Sequence, residues 1–123
     1  MAFMIYSTDD GRIPAWEYYD ATGLTPKVGQ ALKLSGGKLV SGASEAKPQF
    51  VCMREQATAV AEGDAPIPVI AVNNGMILEM AGTATVGATV KVATDGMSVT
   101  ADSAGKGVVV AVPATGVVRV RFE

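Results

Sequence analysis

The feature that most constrains this chain is a phrase it states twice. Val28-Gly29-Gln30-Ala31-Leu32-Lys33-Leu34 is echoed by Val86-Gly87-Ala88-Thr89-Val90-Lys91-Val92. Each copy then reaches a turn glycine, Gly37 or Gly96, with one extra residue in the second copy. Beyond the turn, Lys38 to Ser41 aligns with Met97 to Thr100. Phe50 to Met53 then aligns with Val109 to Val112, and Val69 to Val72 with Val117 to Val120. A repeat of this length predicts one small all-β unit used twice, over 28–72 and 86–122. The repeat contains no reactive motif.

The local signals are those of short strands. Gln30 to Leu34 and Lys38 to Val40 flank Ser35-Gly36-Gly37, which predicts a hairpin. Gln49 to Met53 reads as a buried strand. Arg54 to Asp64 fits a short helix or a loop. Pro66 and Pro68 donate no backbone hydrogen bond, so they suit a sheet edge or the start of a strand. Asn73-Asn74-Gly75 between Val69–Val72 and Met76–Met80 is a hairpin signal. Thr89 to Ala93 and Met97 to Thr100 surround Asp95-Gly96. Gly107 to Val112 is continuously apolar, which predicts burial on both faces. In Val117 to Phe122 the valines and Phe122 alternate with Arg119 and Arg121. The fold class expected is all-β: a small β-sandwich or β-barrel over 28–123, preceded by an extended arm over 1–27.

The arm differs from the body. Five of the seven aromatic residues (Phe3, Tyr6, Trp16, Tyr18 and Tyr19) lie within its first 19 positions, among Asp9, Asp10, Glu17 and Asp20. Asp9-Asp10-Gly11 signals a turn, and Gly23 and Pro26 break any helix. One short strand or turn is expected here. Two readings of the aromatics stand side by side. They cover one end of the core, or they anchor the protein on a partner, because Tyr and Trp bring large contact area at low entropic cost. Arg119 and Arg121 likewise read as a solvated strand face or as a polar contact to a neighbouring subunit.

Composition narrows the function classes. The chain has 123 residues, enough for one domain with a core. Hydrophobic residues are 49% and charged residues 18%, below the usual ~25%. The net charge of -2 and the lack of a basic run give no electrostatic support to nucleic-acid binding. No apolar run approaches the ~18 residues of a membrane helix. No basic start and apolar core mark a signal peptide, so the expectation is a protein made in a cytoplasm. Histidine is absent, which removes the commonest general base and metal ligand. Cys52 is alone and reads as a buried, inert thiol. Glu45, Glu55, Glu62, Asp64 and Glu79 show no spacing that pairs an acid with a base. Asp9 and Asp10 lack the spacing of a calcium loop. No catalytic, cofactor or metal residue is expected, and the methionines read as core filling.

The second half carries a resemblance. Val86-Gly87-Ala88-Thr89-Val90-Lys91-Val92, Asp95-Gly96, Thr100-Ala101-Asp102-Ser103-Ala104-Gly105, the apolar Val108 to Val112, and Thr115-Gly116-Val117-Val118-Arg119-Val120-Arg121-Phe122 follow one another. This run resembles the C-terminal half of the small capsid decoration, or cement, proteins of tailed bacteriophages. Gly37-Lys38-Leu39-Val40 and Gly63-Asp64 are also similar to that family, so the likeness spans roughly 28–122. The resemblance implies a non-enzymatic structural protein on the exterior of the virion. It would bind the major capsid protein and stabilise the shell, often as a homotrimer. The aromatic, acidic arm has no fixed motif in that family. Assigning Phe3, Tyr6, Trp16, Tyr18, Tyr19, Arg119 and Arg121 to partner contact is read from this chain alone. The alternative is a β-sandwich ligand-binding module, for instance for carbohydrate, with Trp16, Tyr18 and Tyr19 as a stacking platform.

Overall fold

The computed structural model describes residues 2–123 and is all-β. Eleven strands follow in order: β1 (Met4–Ser7), β2 (Glu17–Asp20), β3 (Ala31–Ser35), β4 (Lys38–Ser41), β5 (Phe50–Cys52), β6 (Pro66–Ala71), β7 (Ile77–Ala81), β8 (Thr89–Val92), β9 (Val99–Ala101), β10 (Gly107–Ala114) and β11 (Val117–Phe122). They form two antiparallel sheets, of order β1-β7-β11-β10-β8-β9 and β2-β6-β5-β3-β4. The architecture is that of a β-sandwich rather than a closed barrel. Both sheets nevertheless curl. The outer strands β2 and β4 come within 8 Å of each other without pairing, and a parallel bridge between Ala81 and Ser98 joins the ends of β7 and β9.

Apart from β1, the two strand orders coincide: β2-β6-β5-β3-β4 matches β7-β11-β10-β8-β9. The match extends to single hydrogen bonds. Gly29 N donates to Cys52 O and Gly87 N to Val109 O, both at 2.8 Å. Cys52 N donates to Gln30 O, as Val109 N does to Ala88 O. Val72 N donates to Gln49 O, as Glu123 N does to Lys106 O. These bonds correct the register read from the sequence. Cys52, not Phe50, occupies the place of Val109, and Val69 that of Val120. The turn between β8 and β9 holds two residues more than its partner, not one, so Leu39 rather than Val40 matches Val99. Runs of valine carry a face but no registration mark, and only the ladders fix the register.

One exchange explains why the echo fades after the first hairpin. Phe50 pairs with Ala71, whereas Gly107 pairs with Phe122 at the corresponding place. The large ring comes from the fourth strand of one set, β5, and from the fifth of the other, β11. A Cβ on Gly107 would lie 2.8 Å from Cε1 of Phe122, so the volume is already filled.

Two cores follow from strand alternation. Leu32, Phe50, Cys52, Ile67 and Val69 point to one face of the five-stranded sheet and form a cluster with Ala21 and Leu39. Ala31, Val51 and Val72 belong to a second cluster, with Leu78, Met80, Val109, Val118 and Phe122 of the six-stranded sheet. The five-stranded sheet therefore buries both faces, and the six-stranded sheet buries one.

Several expectations change. The first 27 residues are extended but stitched in: β1 pairs with β7, and β2 with β6, giving two strands where one was expected. Asn73-Asn74-Gly75 forms a tight turn, with Met76 N donating to Asn73 O, yet it carries the chain from one sheet to the other and is not a hairpin. Gly75 N donates to Phe122 O, which draws the following strand toward β11. Arg54 to Asp64 is a loop. β10 alternates buried and exposed positions instead of being covered on both faces. Pro66 opens β6, as expected of a strand start, yet the strand is internal. Pro68 accepts a bond from Met53 N, so Pro66 and Pro68 turn their missing donors to the side where β5 has already ended.

The matched glycines give a test. Gly29 and Gly87 hold φ of +83° and +91°, and a Cβ on Gly29 would also meet Ala2 Cβ at 2.6 Å, whereas Gly87 has open space. Left-handed strain alone costs about 1–2 kcal/mol, so Gly87→Ala is expected to lose that much. Gly29→Ala should lose clearly more, read from urea midpoints. Equal midpoints would show that the approach of β1 to Gly29 does not constrain the fold.

Candidate functional site

The site is an apolar groove where β1 passes the five-stranded sheet. Its position follows from the strand ladders. Tyr18 pairs with Pro68 and Glu17 with Val69, which sets Trp16 beside Ile70. Phe3 N donates to Gly29 O at 3.0 Å, which brings the start of β1 alongside Val28. Between them the β1–β2 connection lays Ile13 over the gap. Phe3, Val51 and Ile70 form a buried floor. Met4, Ile13, Trp16 and Val28 form a rim whose exposure runs from 51% at Trp16 to 69% at Ile13. The groove encloses about 360 Å³.

The residues expected from the sequence fall into separate places. Phe3 is 2% exposed and belongs to the core, 6.4 Å from the ring of Phe122. It supports the groove and offers no surface of its own. Trp16 stands on the rim. Tyr18 projects on the same side as Trp16, above Pro68, and is exposed. Tyr19 points the opposite way, against Phe50 at 5.2 Å between ring centroids. Its hydroxyl donates to Glu17, and that bond, helped by desolvation, raises its pKa above the usual 10.0. Trp16, Tyr18 and Tyr19 therefore do not form one platform.

Tyr6, Arg119 and Arg121 lie elsewhere, on the outer face of the six-stranded sheet. The Arg119 guanidinium carbon sits 4.0 Å over the Tyr6 ring, while its Nε donates to Glu79 Oε2 at 2.9 Å. This stack fastens β1, through Tyr6, to β7 and β11. Arg119 is thus occupied within the chain, and Arg121 is exposed. The groove residues Met4, Ile13 and Val28 were not recognised from the sequence. Ile13 carried the one available signal, an isolated aliphatic side chain in a polar turn beside Pro14.

The polar groups serve structure. Asp20 accepts bonds from Thr22 Oγ1 at 2.5 Å and from Ala65 N and Thr22 N at 3.0 Å, tying the end of β2 to the loop before β6. Cys52 is buried and donates to Arg54 O; desolvation pushes its thiol pKa up. Among the described residues, no three His, Cys, Asp or Glu side chains converge on a common point. Glu45 pairs with Lys33, and Glu79 with Arg119. Comparison with protein-family models, with curated proteins and with solved structures finds no match to this chain.

The carboxylates that hold the loops predict the pH response. Bonds from Thr22 and Ala65 hold Asp20 below its usual 3.8. Bonds from Met97 and Ser98 do the same for Asp95, and bonds from Ala104 and Lys91 for Asp102. A depressed folded-state pKa adds stability that is present above the unfolded value and lost as pH falls through the folded one. The melting temperature is therefore expected to fall as pH drops below the usual carboxylate value of 3.8. The Asp20→Asn/Asp95→Asn/Asp102→Asn variant should show a flatter decline. An unchanged slope would assign the acid sensitivity to other groups.

Proposed function

We propose that this chain is a non-enzymatic decoration protein that binds the outer surface of an assembled phage capsid and stabilises the shell. Its body is read as two copies of one strand unit, and its first 27 residues as the segment that supplies the docking surface. The partner is the major capsid protein. Copies of the chain act together on the virion, as the trimers of the family it resembles do.

The observation that carries this reading is the apolar groove with Trp16 and Ile13 on its rim. Exposed apolar side chains gathered around a concave floor mark a protein-binding surface more than scattered ones do. Trp at such a place is the residue type that most often dominates binding energy. Both sheets hold the groove, so little ordering entropy is lost on docking. Contacts repeated over many copies need only be individually weak.

A second reading has one observation in its favour. Trp16 and Tyr18 project on the same side, which gives two exposed rings on which a sugar could stack. Tyr19 faces away and takes no part.

Attachment to shells is the deciding measurement. Removing residues 1–19 would take Phe3 out of the core and strip β7 and β6 of one neighbour each, so single substitutions are cleaner. Shells assembled from the major capsid protein of the same phage are sedimented with the full chain. Trp16→Ala and Ile13→Asp are expected to weaken attachment at least tenfold, the scale of a binding hot spot, while Tyr19→Phe binds like the parent. Attachment undiminished by Trp16→Ala and Ile13→Asp would remove the groove from the interface. Binding to a glycan array, lost in Trp16→Ala and Tyr18→Ala alike, would move the protein to the second reading.

A further inference from the structure

Given the groove as the docking surface, the reading on which this rests, we propose what enters it. An extended segment of the partner adds a strand to the free edge of β1 and seats alternate apolar side chains in the groove. The direction of the β1 backbone shows that the edge is open. Successive residues of a strand turn their N–H and C=O groups to opposite edges. Phe122 N donates to Met76 O, so Val120 likewise bonds toward β7, at Leu78. Glu79, the next residue, then turns the other way and bonds to Met4 in β1. Ile5 follows Met4, so its N–H and C=O point away from β7. The start of the strand agrees. Phe3 N, which shares the direction of Ile5, donates to Gly29 O on that far side. Strand β1 is the outermost of its sheet. Among the described residues, no group of the chain bonds to the amide or the carbonyl of Ile5.

Two hollows run along this edge. One is the groove over Val51 and Ile70, which Ile5 helps to line. The other, also of about 360 Å³, continues past Tyr6 and Ser7 to Gly11. Ile5 and Ile13 line both, so the two form one trench beside β1. No charged side chain lines either hollow. Strand β1 itself, Met4-Ile5-Tyr6-Ser7, carries neither a charge nor a proline, two of the devices that guard an open edge.

An extended chain answers these features together. Its backbone supplies the acceptor and the donor that Ile5 lacks, and every second side chain reaches the apolar floor. A helix spends its amides on itself and would bury those of Ile5 unpaired, at the cost of their hydration. The added strand is short. Gly29 closes the edge at Phe3, and a bulge interrupts β1 after Ile5. Opposed residues of paired strands share a face, and Ile5 faces the core. The segment therefore places an aliphatic side chain opposite Ile5 and again two residues to either side.

Amide hydrogen exchange of the full chain, read by NMR, tests this. In the free protein Ile5 N–H is expected to exchange fast and Met4 N–H slowly. The probe is a short synthetic peptide in which valine alternates with threonine. At saturation it should slow exchange at Ile5 by about fivefold, the weight of one net backbone hydrogen bond. A twin peptide N-methylated on every valine should leave Ile5 unchanged, because those amides face β1. A twin N-methylated on every threonine should protect Ile5 as the parent peptide does. Ile13→Asp, at a position 69% exposed, should abolish the protection without changing the melting curve. An Ile5 amide already protected in the free chain overturns the proposal, as does one that the peptide leaves unchanged up to its solubility limit. Equal protection by the valine-methylated twin, or by the parent peptide on Ile13→Asp, also overturns it. So does protection that grows with protein concentration alone, which would put a second copy in the trench. The peptide test contains no capsid. Shell attachment that depends on Trp16 while Ile5 ignores the peptide would keep the docking reading and remove the added strand.

Discussion

A sheet of short strands that curls around its own side chains still has an outer face, and the chain covers that face for only one of its two sheets. Ala31, Val51 and Val72 are buried because the six-stranded sheet and Phe3 lie against them. Everything else depends on this junction. It places the β8–β9 hairpin at the start of β3, brings β1 across Gly29, and sets the groove beside Ile70. Burial of such side chains is worth about 1.5–3 kcal/mol each, so the first strand set on its own would expose several apolar groups to water.

Much of this architecture was legible in the sequence, and the misreadings share one cause. The doubled Val-Gly phrase marked the two strand sets because glycine at a positive φ is a positional requirement that survives divergence. The hairpins at Gly36-Gly37 and Asp95-Gly96 were legible for the same reason. Valine runs are not positional in that sense. They left the fourth and fifth strands of the two sets slipped by two and three residues. They also made β10 look buried on both faces when its even-numbered valines are exposed. Asn73-Asn74-Gly75 gave a true turn and a false hairpin. Local chemistry fixes the reversal of the chain, whereas the partner of the next strand is fixed by the core it enters.

The groove was only half legible. Aromatic residues near the start were conspicuous, but their fates diverged with strand parity. Phe3 and Tyr19 went inward, Trp16 and Tyr18 outward, and Tyr6 into a stack with Arg119. No composition argument separates Tyr18 from Tyr19, because the distinction lies in which of two adjacent positions faces Phe50. Met4, Ile13 and Val28 were silent because a single aliphatic residue in a loop or at a strand end has no periodicity to betray it.

Strand β1 has no equivalent in the first strand set, and its addition decides which backbone edges meet the solvent. It covers the flank of β7, while the matching flank of β2 stays unpaired and curls toward β4. That unpaired flank is short and carries Glu17 and Asp20 at its two ends. Negative charge at both ends of a four-residue border repels the approach of another extended chain. The border of β2 is thus guarded by two carboxylates, of which one, Asp20, also fastens the neighbouring loop.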